Sequence, residues 1–373
     1  MANPLQQLAA LGQSVWLDYI HRDLFAGELR RLIDDDALTG MTSNPAIFEK
    51  AIDQGHAYDA QIETLTRAGK NANDIYEAIS QSDVQQAADA LRPTYDRTGG
   101  ADGYVSLEVN PHLALDRAGT IAEGRRLWQA LGRPNAYIKV PGTTEGLGAI
   151  RQLISEGINV NVTLLFGLPR YQEVMDAYLT GLEQRAAAGQ PLERVSSVAS
   201  FFVSRIDSMV DPMLTARART ENDPQLRAEA QSACGEVAIA CGKLAYNIYR
   251  MTFQQERFKR LAARGARVQR LLWASTSTKN PQYSDVKYVE ALLGADTINT
   301  MPLETLEAYR DHGRPQLRLA DNLSHAREIF ESLPGVGVDI DVVTRRLEDE
   351  GIAKFIEPFD RLLQQIGARM AGL

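Results

Sequence analysis

Several short apolar runs of this sequence each contain a residue that could take part in acid–base or covalent chemistry. Charged side chains are rare in buried strands, because burying an unpaired charge is costly. A lysine, Lys139, interrupts the run AYIKVPG, and two carboxylates, Asp18 and Glu108, interrupt VWLDYI and VSLEVN. The runs GMTSNP and NVNVTLLF contain uncharged polar residues, namely Asn44, Asn161 and Thr163. These residues are the first candidates for a functional site.

Each of these residues has a structural explanation when it is considered alone. A carboxylate in a strand is often a hydrogen-bonded structural group, and an asparagine before proline, such as Asn44, often forms a turn. A lysine within a strand of tyrosine, isoleucine and valine is harder to explain in this way. A structural account would need a separate reason for each member of the set, so the combination favours function.

A buried lysine beside carboxylates has the groups needed to break a carbon–carbon bond through a Schiff base. At the ordinary pKa of ~10.4, fewer than about one lysine in a thousand is neutral at pH 7, whereas a pKa near ~7–8 gives abundant free amine. The amine attacks a ketone, and the resulting iminium accepts the electrons of the neighbouring bond. One carboxylate then takes the proton of the released hydroxyl, and a second acid–base group transfers water. Asp18 and Glu108 could supply these functions, and the chemistry requires no metal or other cofactor.

The candidate residues lie in strand-like runs that alternate with helical stretches. Apolar residues over 145–156, 169–189 and 285–293 have the spacing of amphipathic helices. Strands that alternate with helices pair in parallel through right-handed crossovers, and eight such units favour an α/β fold, the closed (β/α)8 TIM barrel. A doubly wound sheet usually has a GxGxxG loop after its first strand, and this chain has His21-Arg22-Asp23 there. The predicted strands are 15–20, 40–45, 103–110, 136–142, 159–166, 197–204, 270–276 and 295–302.

Alternation along these strands indicates which side chains face the barrel interior. In the third strand Ser106, Glu108 and Asn110 share one face, and in the fifth strand Asn161 and Thr163 share a face. Several strands thus contribute polar groups near their carboxyl ends, where the active sites of such barrels lie.

Two helical insertions and a helical tail account for the length beyond an ordinary barrel. The insertions span about 54–100 and 223–263, and the amphipathic tail begins at about 321. No repeat or linker separates these parts, so we expect a single domain over 1–373. The two cysteines, Cys234 and Cys241, are seven positions apart, which predicts small buried residues on a helix rather than a disulfide or a zinc site.

The composition excludes several classes of partner. The 373 residues have a formal net charge of −8, so we expect no general attraction for nucleic acid, and an anionic substrate would need a local positive site. No apolar run approaches the ~18 residues needed to cross a bilayer. The first residues, MANPLQQLAALGQSVW, have no basic segment followed by an apolar core, so no signal peptide is predicted and a cytoplasmic location is expected.

Four motifs in order along the chain resemble those of transaldolases, specifically the longer bacterial form. They are VWLDYI, TGMTSNPAIF, YIKVPGTTEGLGAI and NVNVTLLF, followed by ASFFVSRID, and the resemblance spans nearly the whole chain. It implies a barrel of the class I aldolase type with the Schiff-base lysine on strand four, which is where Lys139 lies.

The resemblance implies transfer of a dihydroxyacetone unit from sedoheptulose 7-phosphate to glyceraldehyde 3-phosphate, giving erythrose 4-phosphate and fructose 6-phosphate. It assigns the imine to Lys139 and the proton transfer at the C4 hydroxyl to Asp18. It also implies that Glu108 and Thr163 hold and activate water. The residues that would bind the dihydroxyacetone hydroxyls or line the same pocket are Asn44, Asn161 and Ser200.

For the substrate phosphate, the resemblance points to Arg205, which follows strand six. Shorter family members have a second arginine in an Ala-Ser-Phe-Arg run after strand seven, and this chain has Ala-Ser-Thr-Ser at 274–277. Lys279 could replace that arginine, with Ser275 and Ser277 as hydroxyl donors. The shorter members also favour an aspartate before the glycine of strand two, where this chain has Thr39.

Two alternatives remain open at this point. One is a fructose-6-phosphate aldolase, which cleaves without passing the ketone unit to an aldose. Those relatives are much shorter and tend to use a tyrosine for the acid–base step, whereas Asp18 in strand one favours transfer. The other is a catalytically silent barrel that binds sugar phosphates or a partner protein. The sequence also leaves open whether the protein is a monomer or a homodimer.

Overall fold

The computed structural model, which describes residues 2–53 and 55–372, contains a closed barrel of eight parallel strands. Each strand pairs with the next one in the sequence, and the last pairs with the first. This arrangement confirms the predicted (β/α)8 TIM barrel, and every strand overlaps the run predicted for it. The strands are β1 (Gln13–Asp18), β2 (Leu38–Thr42), β3 (Tyr104–Glu108), β4 (Ala136–Pro141), β5 (Val160–Leu165), β6 (Ser197–Phe202), β7 (Arg270–Ala274) and β8 (Thr297–Met301).

Helices connect the strands and surround the barrel. Within the described residues they are α1 (Pro4–Ala10), α2 (Glu28–Asp35), α3 (Pro45–Asp53), α4 (Asp59–Arg67), α5 (Ala72–Arg97), α6 (Arg117–Leu131), α7 (Thr144–Glu156), α8 (Leu168–Ala187), α9 (Ser204–Thr220), α10 (Pro224–Ala233), α11 (Val237–Phe253), α12 (Glu256–Ala262), α13 (Lys287–Ala291), α14 (Leu303–His312), α15 (Leu323–Ser332) and α16 (Ile340–Ala371). Short 3-10 helices span Arg22–Ala26 and Pro111–Leu113. None of the helices described here is long and apolar enough to cross a membrane.

The helices predicted from periodicity form in the expected places. Those predicted over 145–156 and 169–189 correspond to α7 and α8, whereas the one predicted over 285–293 is limited to the five residues of α13. The segments predicted as insertions contain α4 and α5 between β2 and β3, and α10 to α12 between β6 and β7. Gln54, where the first insertion was predicted to begin, lies outside the described residues. Cys241 is buried in α11, but Cys234 directly follows α10 and is only half-buried.

Aromatic side chains pack in the amino-terminal half of the barrel. Trp16 of β1 lies so close to Gly40 of β2 that a Cβ on Gly40 would be 2.2 Å from the indole Cε2. Tyr104 stacks on Tyr137, with 4.3 Å between ring centroids, and the Trp16 Nε1 donates a 2.8 Å hydrogen bond to Asp102. This packing leaves the carboxyl-terminal half of the barrel for polar side chains.

The long C-terminal helix α16 covers part of the carboxyl end of the barrel. It packs against α3, α5 and α9, and its first turn is capped by Asp339, whose carboxylate accepts hydrogen bonds from the backbone N–H groups of Asp341 and Val342. Its buried residue Phe355 places a ring centroid 5.3 Å from the Nζ of Lys139. The tail is therefore part of the wall around the predicted catalytic lysine.

Candidate active site

A cavity of about 510 Å³ lies at the carboxyl ends of the strands. Nine of the eleven site residues predicted from the sequence line it: Asp18, Asn44, Lys139, Thr163, Ser200, Arg205, Ser275, Ser277 and Lys279. The other two, Glu108 and Asn161, contact lining residues without lining the cavity themselves. In the part of the chain that the structure describes, no group of three or more His, Cys, Asp and Glu side chains is arranged to hold a metal ion.

Lys139 is buried and lies between two residues on neighbouring strands. The strand registers place it beside Glu108 of β3 and beside Asn161 of β5. Its Nζ is 3.2 Å from the Oε2 of Glu108 and donates a 3.2 Å hydrogen bond to the backbone carbonyl of Ser43. Both side chains of the ion pair are at most 5 % exposed. The amine is therefore buried in direct contact with a carboxylate.

Asp18 ends β1 and is held by the hydroxyl of Thr42. The Oγ1 of Thr42 donates a 2.6 Å hydrogen bond to Asp18, and the same hydroxyl lies 2.7 Å from the Oγ1 of Thr300. Burial raises the pKa of the Asp18 carboxyl, and the charge of Lys139 and the bond from Thr42 only partly oppose it. Asp18 can therefore accept a proton more readily than an exposed aspartate.

Glu108, which contacts Lys139, and Thr163, which lines the same cavity as Lys139, each have a buried oxygen atom. Burial raises the pKa of the Glu108 carboxyl, and the Lys139 charge opposes that effect. Apart from the ion pair, the Oε2 of Glu108 has no hydrogen-bond partner among the described residues, and the Oγ1 of Thr163 has none either. Because buried polar atoms normally have partners, these two atoms are suited to bind a small molecule such as water.

Asn161 lies beneath the cavity and makes hydrogen bonds within the protein. Its Nδ2 donates a 2.9 Å bond to the Oγ of Ser106, and its Oδ1 accepts a 2.7 Å bond from the Oγ of Ser200. The structure therefore shows Asn161 orienting Ser200, which does line the cavity. Asn44 also has a local role, because its Oδ1 accepts a 3.1 Å bond from the backbone N–H of Ile47 at the start of α3.

Positive side chains meet in another part of the cavity wall. Arg205, in the first turn of α9, has a buried Nη1 with no hydrogen-bond partner among the described residues. The Nζ of Lys279 donates a 2.6 Å bond to Ser277, and the Ser275 hydroxyl lies 3.0 Å from that of Ser204. Burial lowers the pKa of both Arg205 and Lys279. An anion at this point would relieve the cost of burying these charges.

Two further lysines line the cavity and were missed by the sequence analysis. Lys50 of α3 and Lys354 of α16 are exposed, as is usual for lysines on helices, and both also line the cavity. Lys50 is close enough to Lys279 to lower its pKa. The position of Lys50 on α3, directly after β2, is a signal that could have been used, because helices that follow strands begin at the active-site end. Nothing in the sequence shows that α16 brings Lys354 to this cavity.

Comparison with known proteins identifies the family. A family model described as Transaldolase/Fructose-6-phosphate aldolase matches residues 15–366. The chain belongs to this family. It is 45 % identical to a transaldolase of Trichodesmium erythraeum over 376 residues, which cover 100 % of this chain and 99 % of the relative. It is 46 % identical to transaldolase 2 of a Nostoc species over 372 residues (99 % and 98 % covered) and to a transaldolase of Thermobifida fusca over 373 residues (100 % and 99 %).

Family membership confirms the resemblance drawn from the motifs. This member of the transaldolase family departs from the shorter members' pattern at Thr39 and Ser277, and the structure shows what each residue does. The Oγ1 of Thr39 donates a 2.9 Å hydrogen bond to Asp102, at the end of the barrel opposite the cavity. Ser277 accepts the bond from Lys279 and lies at the cavity with it. The departure at Thr39 therefore lies away from the site, and the one at Ser277 lies within it.

Proposed function

We propose that this chain is a transaldolase that transfers a dihydroxyacetone unit from sedoheptulose 7-phosphate to glyceraldehyde 3-phosphate through an imine on Lys139. The products are erythrose 4-phosphate and fructose 6-phosphate. The observation that carries the proposal is the placement of the Lys139 amine, which is buried beside Glu108 in a cavity that also contains Asp18 and, elsewhere on its wall, Arg205.

Glu108 supplies and removes the protons of imine formation. It takes a proton from the Lys139 ammonium, a transfer favoured by the burial that raises the pKa of Glu108. The free amine adds to the C2 carbonyl of the donor, and a proton passes from the nitrogen to the former carbonyl oxygen, which gives the carbinolamine. That hydroxyl then leaves as water with the proton held by Glu108, while the nitrogen lone pair forms the C=N bond. The unpaired Oγ1 of Thr163 hydrogen-bonds this water.

Asp18 acts as the general base of cleavage. It removes the proton of the C4 hydroxyl as the C3–C4 bond breaks, and the bonding electrons move into the iminium. When the acceptor aldehyde binds, Asp18 returns the proton to the new hydroxyl. Thr42, which donates to Asp18, fixes the orientation of the carboxyl group.

Hydroxyl and phosphate recognition involve different groups of residues. Asn44 and Ser200 hydrogen-bond the dihydroxyacetone hydroxyls, and Asn161 positions Ser200. Arg205, Ser275, Ser277 and Lys279 bind the phosphate, for which a guanidinium is well suited. Lys50 and Lys354 add positive charge at the same cavity, which compensates for the arginine that shorter members have after strand seven.

We also propose that the whole chain works as one domain, since α16 packs against helices from several parts of the barrel. Its substrates are small phosphorylated sugars. A cytoplasmic location suits such substrates, and a monomer or a homodimer is compatible with a site built from one chain.

A coupled assay for erythrose 4-phosphate tests the function. With sedoheptulose 7-phosphate as donor, we expect rapid product formation when glyceraldehyde 3-phosphate is present and little release without it. Release of free dihydroxyacetone at the same rate without acceptor would instead identify an aldolase. No turnover with either mixture would identify a binding protein.

A further inference from the structure

A second, much smaller cavity lies behind Glu108. Its volume is about 20 Å³, which is enough for one water molecule, since a water needs roughly 10–15 Å³ of this kind of space. Residues of β3, α5, α6 and α16 and of the loop after β3 form its wall, among them Tyr76, Glu77, Ser80, Glu108 and Glu123.

Glu108 lies between this small cavity and Lys139 and contacts both. Its Oε2 is 3.2 Å from the Nζ of Lys139, yet Glu108 lines the small cavity and not the large one. Glu108 is only 6 % exposed, so a buried carboxylate borders a space of the size of one water. In the proposed mechanism Glu108 exchanges protons with water. Its carboxylate contacts the Lys139 amine on one side and borders the small cavity on the other.

The small cavity has the polar groups that a bound water requires. A buried water usually makes two to four hydrogen bonds. Besides Glu108, two other residues of the cavity wall, Tyr76 and Ser80, have hydroxyl groups. Burial raises the pKa of Tyr76, and the neighbouring Glu108 charge raises it further, so its hydroxyl keeps the hydrogen and can donate it.

The outer rim of the small cavity is an ion-pair bridge. Arg126 donates hydrogen bonds of 2.6 and 2.9 Å to the carboxylate of Glu77 and of 2.9 and 3.3 Å to that of Glu123. Glu77 and Glu123 are half-buried, and the Arg126 side chain is 45 % exposed. The bridge therefore lies between the small cavity and solvent.

We propose that the water released in imine formation leaves Lys139 through this small cavity and that the water of imine hydrolysis enters by the same route. In formation, the carbinolamine C–O bond breaks, C=N forms, and the hydroxyl takes the proton of Glu108 to become water. In hydrolysis, Glu108 removes a proton from water as its oxygen bonds to C2. The inference rests on the proposed function, and it explains how water can exchange while substrate fills the large cavity.

The test follows the C2 oxygen of the donor. Fructose 6-phosphate with ¹⁸O at C2 is mixed with erythrose 4-phosphate and enzyme, and the ¹⁸O retained in sedoheptulose 7-phosphate is measured by mass spectrometry at early times. A sample without enzyme corrects for spontaneous carbonyl exchange. Retention rises when the released water cannot escape before hydrolysis.

Ser80→Val adds side-chain volume at the buried wall of the small cavity, and Ser155→Val makes the same change at a half-buried serine as the control. Both serines lie within helices and bond the carbonyl three residues earlier, but Ser155 is on α7, away from the cavity. We expect Ser80→Val to retain severalfold more label than wild type and to transfer more slowly, with Ser155→Val unchanged. Equal retention in the two variants would overturn the inference.

Arg126→Gln provides a second measurement that does not depend on a buried substitution. This substitution removes the ion pairs of Arg126 with Glu77 and Glu123. Arg125→Gln is the control, because Arg125 is also exposed but pairs with Glu156. We expect lower label retention in Arg126→Gln than in Arg125→Gln, and equal values would contradict the route. If wild-type enzyme makes no sedoheptulose 7-phosphate, the proposed function itself fails, and this inference with it.

Discussion

At the scale of single residues, the site combines an amine with two carboxyl groups whose pKa values are raised by burial. Glu108 contacts Lys139 directly, whereas Asp18 is held by Thr42 and lines the large cavity. The two carboxyl groups thus have different proton-transfer partners. Glu108 can exchange protons with the Lys139 amine and with water, and Asp18 can exchange a proton with a substrate hydroxyl.

Replacement of Asp18 should separate cleavage from imine formation. Asp18→Ala is expected to slow cleavage by about 10²–10⁴ while an imine with the donor still forms, because the amine and Glu108 remain. In wild type, the base form of Asp18 is lost as pH falls through its raised pKa, so cleavage should decline at a higher pH than an exposed aspartate would allow. Single-turnover cleavage rates and borohydride trapping measure the two steps. A variant that forms no adduct would assign Asp18 to an earlier step.

Replacement of Lys279 should affect phosphorylated substrates selectively. Lys279→Ala is expected to raise KM for fructose 6-phosphate by about tenfold or more, since charged hydrogen bonds contribute roughly 1.5–3 kcal/mol. The KM for unphosphorylated fructose should change little. Lys70→Ala, an exposed lysine away from the cavity, is the control. Equal effects on both sugars would remove Lys279 from the phosphate site.

The sequence allowed the types of the site residues to be predicted better than their contacts. Alternation along β3 and β5 placed Glu108 and Asn161 on the inner face, but it did not show that neither of them lines the large cavity. Asn161 bonds Ser106 and Ser200 because three strands bring these side chains to one level. Such a long-range arrangement leaves no periodic signal in the chain.

At the scale of elements, the strands were predicted well and their ends less well. The run predicted over 40–45 continues past the end of β2 at Thr42, because Asn44 already accepts a hydrogen bond from the first turn of α3. The pattern of apolar residues does not show where the strand ends and the helix begins. The covering of the site by α16 was not predictable either, because amphipathic spacing identifies an apolar face but not the surface on which it packs.

Strand β2 requires glycine at position 40, where the Trp16 indole occupies the space of a side chain. Gly40→Ala is expected to lower the free energy of unfolding by about 1–3 kcal/mol, the usual cost of overpacking. Gly367→Ala on α16 is the matched control, because a Cβ there meets no atom within 4 Å, and it should stabilise by roughly 0.5–1 kcal/mol. Denaturant unfolding measures both variants, and a neutral Gly40→Ala would contradict the packing described.

At the scale of the whole molecule, a net charge of −8 opposes the binding of phosphorylated sugars. Arg205, Lys279, Lys50 and Lys354 line the cavity with two carboxylates, Asp18 and Glu304, so positive side chains outnumber negative ones there. Because Lys50 and Lys354 are largely exposed, salt screens their attraction for an anion. We expect KM for fructose 6-phosphate to rise with ionic strength, while KM for fructose stays constant. A KM that falls with added salt would mean that the net charge dominates.

The central claim is that Lys139 forms the covalent intermediate. Borohydride reduction in the presence of fructose 6-phosphate, followed by peptide mapping, tests it directly. We predict a single modified peptide that contains Lys139, and no adduct or turnover in a folded Lys139→Ala variant. An adduct on another lysine, or activity that survives the loss of Lys139, would contradict the mechanism.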